Sequence, residues 1–362
     1  MPKSVLKSIN LRGKTLNFPC FFPDATKAVI KGLPTNDLLR TKTTGIVVNT
    51  YHIMHEGLVD ILAEVGGIHN FMGHNLPVIS DSGGFQVMSL IHANSKNGLI
   101  TEDGAEFYMA LNPNEQPKLT VLTPESCIET QKKIGSDIIM CLDDCTDPKE
   151  DLATQEISVE RTVRWAKRCK VHFEKLFANT PVENRPKLFA IVQGGDIKEL
   201  RKRCADALIE VGFDGYAYGG WPVDENKAFL TDIVSYVCSI MPSDKPKYAM
   251  GVGKPGDIIN CVEMGYDMFD CVLPTRDARH KRLYTFNDFG LSSSYLNIGQ
   301  GKYSKDFSRV SAFCDCELCI THSRAYLNHL FRIKDTSCIS LATAHNLRFY
   351  SSLMEKLSNQ VY

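Results

Sequence analysis

The stretch "YDMFDCVLPTRDAR", residues 266–279, joins an apolar run through Met268 and Phe269 to a carboxylate, Asp270. Pro274 then breaks the extended chain, and two arginines follow, Arg276 and Arg279. The same sentence structure recurs upstream. Short β-rich apolar runs end in a polar or glycine-rich turn at FPCFFP (18–23), GIVVNT (45–50), PVISDSGG (77–84), DIIMCLDD (137–144), LFAIVQGG (188–195), FDGYAYGG (213–220) and KYAMGVG (247–253). With YDMFDCVLP (266–274) they number eight. Amphipathic stretches such as 157–177 and 196–212 lie between them. Strands alternating with helices imply βαβ units and a parallel sheet. Right-handed crossovers leave two solutions, a doubly wound sheet or a closed (β/α)8 barrel.

The strand ends separate the two. A doubly wound sheet gathers its ligands at one switch point, whereas a barrel presents chemistry at the C-terminal ends of several strands. Here those ends carry Asn49, Asp81, Asp143, Gln193, Gly219–Gly220, Met250–Gly251 and Asp270. No G-x-x-x-x-G-K-[ST] occurs, and "GVGKPGD" (251–257) has the wrong spacing for it. The expectation is an α/β fold, a (β/α)8 TIM barrel over residues 1–284. Residues 285–362 differ in character and read as a smaller subdomain with closing C-terminal helices.

A length of 362 residues suits one such barrel with an appendage. The net charge of −1 excludes a global field that draws in nucleic acid, so any polyanion must meet a local basic patch. The N-terminal residues have no apolar core of a signal peptide, and no run is long and apolar enough to span a bilayer. The expected location is cytoplasmic, with no membrane partner. Thirteen cysteines without an export signal point to reduced thiols, with metal ligation as the reading of any cluster.

One cluster stands out. "CDCELC" holds Cys314, Cys316 and Cys319. Three thiolates and one imidazole form a closed tetrahedral set that suits structural zinc and leaves no position for a catalytic water. Spacing leaves the imidazole open. His322 would close a cramped loop, His329 sits within an apolar helical pattern, and His345 precedes another.

The carboxylates Asp81, Asp143, Asp144 and Asp270 each follow an apolar run. Any one alone reads as a strand-end or helix-capping aspartate. Several on one barrel face read as the paired carboxylates of glycosidic-bond chemistry, in which one attacks or stabilises the anomeric carbon and another moves protons. Arg276 and Arg279, with His280, Lys281 and Arg282, form a cationic edge beyond Asp270. Arginine forks match phosphate geometry, so the set suggests a sugar within a nucleotide or nucleic acid. A salt bridge that merely holds the loop is the alternative on these residues alone.

"NTYH", "SDSGGFQ", "SDIIMCLDDCT", "VQGG", a "GG" followed by an acidic turn, "MGVGKP", "MFDCVLPTRDAR" and "CDCELC…H" occur in one order along the chain. As an ordered set, from about residue 15 to the end, they resemble the tRNA-guanine transglycosylases, or queuine tRNA-ribosyltransferases. The resemblance implies exchange of guanine at the anticodon wobble position of tRNA for a 7-deazaguanine base, preQ1, queuine or preQ0. It implies that Asp270 is the nucleophile at C1′ of the ribose and Asp81 the acid/base. It further implies that Asp143 accepts hydrogen bonds from the pyrimidine edge of the base, that Gln193 and the Gly220 N–H contact its carbonyl oxygen, and that Phe85 and Met250 sandwich the ring. Arg276 and Arg279 would hold the flanking nucleotides of a base taken out of its stack. Cys314, Cys316, Cys319 and His345 match the zinc set, which selects His345. A homodimer is also implied. The chain departs from the family after Gly219–Gly220. Where many members carry a small "LAVGE"-like stretch, it has Trp221, Pro222, Val223, Asp224 and Glu225, in the segment beside the 7-substituent.

The basic helices near 161–170 and 199–203 are available to a tRNA backbone, although solvated helix faces account for most of those side chains. Two other readings compete. A barrel glycoside hydrolase would leave the cysteine cluster and the arginines unexplained, and sugar-binding barrels usually carry more than the two tryptophans present. A non-catalytic tRNA-binding subunit of the same fold predicts a lost Asp81 or Asp270, and both are present.

Overall fold

The computed structural model describes residues 6–110 and 115–361. All eight expected runs are parallel strands of one sheet: β1 (Cys20–Pro23), β2 (Ile46–Asn49), β3 (Val78–Asp81), β4 (Ile138–Met140), β5 (Lys187–Val192), β6 (Gly215–Tyr218), β7 (Lys247–Ala249) and β8 (Met268–Cys271). Each pairs with its sequence neighbour, and β8 returns to β1 with Asp270 opposite Phe22. The seam between β1 and β2 is closed by the Ala25 N–H donating to the Val47 carbonyl at 2.7 Å. The chain therefore forms the barrel that the strand count implied.

Side chains alternate along a strand, and here the alternation fills the lumen. Phe22, Val47, Ile79, Met140, Phe189, Ile191, Ala217, Tyr248 and Met268 form one buried cluster inside it. Leu11, Leu16 and Phe18 join that cluster from an N-terminal hairpin, Ser8–Leu11 with Lys14–Asn17, which plugs the lower end. The intervening residues face outward onto the helices and are largely apolar, as strands buried on both faces require, with Ser80 an exception whose hydroxyl donates to Gln131 Oε1 at 2.7 Å.

Two insertions were not read from the sequence. Gly98–Ile100, Ala105–Met109 and Lys118–Leu122 form an antiparallel sheet between β3 and β4, tied to the helix Leu152–Leu176 by the Trp165 indole N–H donating to the Glu102 carbonyl at 2.9 Å. Arg282–Phe286 and Ser293–Asn297 form a hairpin beyond the barrel. With the helices Glu317–Thr321 and Arg324–Ile333 it encloses its own buried cluster, including Leu283, Leu296, Leu327 and Phe331. The last helix, Ser337–Val361, is shared. Ala342 packs in that cluster, while Phe349, Tyr350 and Leu353 pack in the barrel's outer core. No helix of the described residues is long and apolar enough to cross a membrane.

Residues 273–279, read as a loop, are a helix, Leu273–Arg279. Pro274 lies in its first turn, where a missing N–H costs nothing and the fixed φ suits the helix.

Candidate active site

The lumen alternation continues two residues past its last apolar layer. Phe22, Val47, Ile79, Ile191, Ala217, Tyr248 and Met268 are followed at i+2 by Asp24, Asn49, Asp81, Gln193, Gly219, Met250 and Asp270, and all seven line one cavity of about 400 Å³ at the C-terminal mouth. Only β4 breaks step. It ends at Met140, Leu142 packs into the outer core, and Asp143 turns into the cavity instead. Asp144 points the other way, where Arg161 Nη1 meets its Oδ2 at 2.5 Å. Phe85, Cys145, Gly220, Trp221 and Pro222 also line it, with His52 and Gln86 among the remaining wall residues.

Three of the four carboxylates lining the cavity, Asp81, Asp143 and Asp270, are held differently. Asp81 Oδ2 accepts from Asn49 Nδ2 at 2.7 Å, and the same nitrogen donates to Gln86 Oε1 at 2.7 Å. Burial, then the charges of Asp143 and Asp270, push Asp81 up to about 7. Asp143 Oδ2 accepts from Gln193 Nε2 at 2.6 Å. Burial raises it to about 6, against the pull of that donor. Asp270 Oδ1 accepts both the Tyr248 hydroxyl and the Gly251 N–H at 2.7 Å each. Burial raises it to about 6 against those two donors. Among the described residues no donor reaches its Oδ2. Near neutrality Asp81 thus holds and releases a proton with equal ease, while Asp270 stays mostly ionised with one oxygen unengaged.

Phe85 and Trp221 meet with ring centroids 5.1 Å apart, tilted by 56°, on one side of the cavity. Gly219 is required where it stands, since a Cβ would lie 2.4 Å from Ile191 Cγ2 and 2.5 Å from Gln193 Nε2. Arg276 and Arg279 do not line the cavity. Both sit on the helix that follows Asp270, Arg276 exposed and Arg279 partly buried with no acceptor at Nη1 among the described residues.

The second site lies behind this one. The ligand atoms of Cys314, Cys316, Cys319 and His345 fall within 4.8 Å of one another. His345 Nδ1 is 3.4 Å from Cys316 Sγ and 3.3 Å from Cys319 Sγ, while its Nε2 donates to the Tyr284 carbonyl at 2.7 Å. That second bond fixes the tautomer and leaves Nδ1 as a ligand. The separations approach the roughly 3.5 Å edge of a tetrahedron with metal–sulfur and metal–nitrogen bonds of about 2.3 and 2.0 Å. The donor set can hold a metal ion. His345 lies within the last helix rather than ahead of one. His322 instead stacks on Tyr326 and His329 lies beside Arg332. The next residues of that helix reach the segments that leave the first site after β7 and β8. Asn346 Nδ2 donates to the Pro274 carbonyl at 3.0 Å, and the Tyr350 hydroxyl to the Gly253 carbonyl at 2.6 Å.

A family model described as queuine tRNA-ribosyltransferase matches residues 6–362. The chain belongs to that family. Curated relatives bearing the same name include one from Caldanaerobacter subterraneus, 42% identical over 95% of this chain and 86% of its own length. One from Solidesulfovibrio magneticus is 42% identical over 93% and 85%. One from Zymomonas mobilis is 38% identical over 98% and 87%. Membership makes this chain an enzyme, a pentosyltransferase.

Several residues of this ribosyltransferase-family site escaped the sequence reading. Asp24 follows Phe22 by the same i+2 step as the others, so the alternation signal was there. Tyr248 lies within the run KYAMGVG, and nothing local marks its hydroxyl as a partner of Asp270. Arg201, in a helix that read as a basic solvated face, is 1% exposed. Arg161 and Arg168 are likewise committed to Asp144 and Glu102, and to Glu125.

Proposed function

We propose that the enzyme exchanges the wobble guanine of GUN-anticodon tRNAs for a 7-deazaguanine through a covalent aspartyl–ribose intermediate. The observation that carries this reading is the split between Asp270, clamped through Oδ1 with Oδ2 unengaged, and Asp81, poised near neutrality across the same cavity.

Asp270 Oδ2 attacks C1′ of the target ribose. The C1′–N9 bond breaks, its electron pair stays on guanine, and the Asp81 carboxyl supplies the proton that makes the leaving base neutral. The incoming base returns a proton from its N9 to Asp81. N9 then attacks C1′, and the ester bond to Asp270 breaks with its pair on the carboxylate. Two displacements retain the anomeric configuration. Asp143 accepts from the donor edge of the base, while Gln193 and the Gly220 N–H donate to its carbonyl oxygen. Phe85 and Met250 cover the ring faces. Among the described residues the cavity walls carry Asp24, Asp81, Asp143 and Asp270 and no lysine or arginine, which suits a donor-rich base. Trp221, packed on Phe85, borders the space for the 7-substituent. Arg276 and Arg279 hold flanking phosphates, and a homodimer is the working assembly.

The cysteine–histidine group holds structural zinc. When bound, the ion fixes the fold of its lobe and takes no part in the exchange. His345 and its neighbours then anchor the segments carrying Pro274 and Gly253.

The test is base exchange. A GUN-anticodon tRNA is loaded with radiolabelled guanine and chased separately with preQ1, preQ0 and queuine. Release by at least one of them supports the reading, and the pattern identifies the substituent that Trp221 admits. No release by any base, from protein with zinc bound, refutes it. Asp270→Asn should abolish the denaturation-resistant adduct with tRNA.

A further inference from the structure

We infer that Arg201 is a positioning residue for the exchange, fixing the backbone donor that receives the carbonyl oxygen of the base. The inference rests on the base-binding role proposed for Gly220 and adds the group that makes it work.

Arg201 lies in the helix Lys198–Val211, one turn beyond the "VQGG" strand end. Gly194 (φ +138°) lets that helix start against the strand, since a Cβ there would lie 2.7 Å from the Arg201 nitrogen. The side chain thereby returns beneath the strand ends. Its Nη1 donates to the Val192 carbonyl at 2.5 Å and the Gly219 carbonyl at 2.9 Å, its Nε to the Gly195 carbonyl at 2.8 Å, and its guanidinium lies 4.4 Å from the Tyr218 ring centroid. A buried cation normally pairs with a carboxylate. Among the described residues none lies within ion-pair distance, and carbonyl oxygens and a π-face take that place.

The geometry of one peptide group gives this arrangement its consequence. The Gly219 carbonyl and the Gly220 N–H belong to the same planar trans unit, so they point in opposite directions. Gly219 and Gly220 line the cavity and Arg201 does not. A carbonyl turned back to Arg201 therefore turns the N–H forward into the cavity. That N–H has no acceptor among the described residues, which leaves it for a ligand. Gly220 sits at φ +91°, and glycine moves between positive and negative φ at little cost, so the chain itself does not fix the peptide in this orientation. The positive charge behind the carbonyl also polarises the N–H. Negative charge that spreads to the carbonyl oxygen as the C1′–N9 bond breaks meets a strengthened donor, the arrangement of an oxyanion hole.

The experiment compares 7-deazaguanine with 2-amino-7-deazapurine, which lacks that oxygen and with it the N1 proton, as competitive inhibitors of guanine exchange by wild type, Arg201→Lys and Arg201→Met; the N1 difference is common to all three proteins, so a change in the ratio between them reads the oxygen. Wild type should favour 7-deazaguanine. Arg201→Met should shrink that preference by about tenfold or more, as loss of a charge-assisted bond predicts, with Arg201→Lys between. Guanine exchange should lose kcat in the same order, with a smaller change in KM for tRNA. Equal weakening of both bases, or an undiminished preference in a folded variant, overturns the inference. Should Arg201→Met not fold, Arg201→Lys decides by the same ratio, since it keeps the charge and loses the fork. A wild type that does not distinguish the two bases instead refutes the base reading of the site.

Discussion

Asp81→Asn should make the protein more stable as it makes it inactive, and the gain should depend on pH in a defined direction. Asp81 is raised from 3.8 to about 7 by burial and by Asp143 and Asp270. A native pKa above the unfolded one means that the native state binds more protons between those values. Stability from this group is therefore full below 3.8, falls as pH rises toward 7, and is flat above. At about 1.36 kcal/mol per pH unit the whole burden is ~4 kcal/mol, and the part acquired between about pH 5.5 and pH 8 is ~2 kcal/mol. Asp81 is partly exposed at the cavity wall, so solvent screening places the measured change between about 1 and 2 kcal/mol. Asparagine keeps an acceptor for Asn49 and removes the charge. Denaturant unfolding of zinc-loaded wild type and variant at the two pH values isolates the effect, because groups common to both cancel. The variant's advantage should grow on going to the higher pH, while base exchange disappears. An advantage that is constant across the interval would mean that Asp81 is ionised throughout, and the case for a proton carrier at this position would fall.

Three further outcomes follow from the same geometry. Tyr248→Phe removes one of the two donors to Asp270 Oδ1; the Asp270 pKa rises, so the acidic limb of the kcat/KM profile should move up by about one pH unit, and one that stays put counts against this clamp. Gly219→Ala drives a Cβ into Ile191 and Gln193, and inhibition by free base should weaken by about a hundredfold or more while far-UV circular dichroism stays native. His345→Ala should remove bound metal, measured by elemental analysis, and lower the unfolding temperature by several degrees or more; exchange activity should fall with it, because Asn346 and Tyr350 hold Pro274 and Gly253 from the same helix.

The residues themselves determined the repeating unit. Eight apolar runs separated by amphipathic stretches admit few folds, and a strand buried on both faces has to be apolar on both, so the barrel strands were legible. The polar residues Asn49, Asp81, Asp143, Gln193 and Asp270 at the ends of five runs were legible too, because the apolar lumen gives way to polar side chains where the barrel opens. The ordered motifs and the three clustered cysteines carried the family resemblance and most of the metal set. What the sequence leaves undetermined is direction and long-range partnership. Asp143 and Asp144 are adjacent and chemically identical, and only the early end of β4 turns one to the cavity and the other to Arg161. Arg201 reads as one more cation on a basic helix until the glycine turn before it brings it under the strand ends. Tyr248 becomes a partner of Asp270 because β7 and β8 are neighbours. The insertion at 98–122 and the N-terminal hairpin close on the barrel through contacts with residues far along the chain. Alternation and composition are local properties and survive in a one-dimensional reading. Which of two neighbouring side chains is buried, and against what, depends on closure of the barrel, which no local stretch encodes.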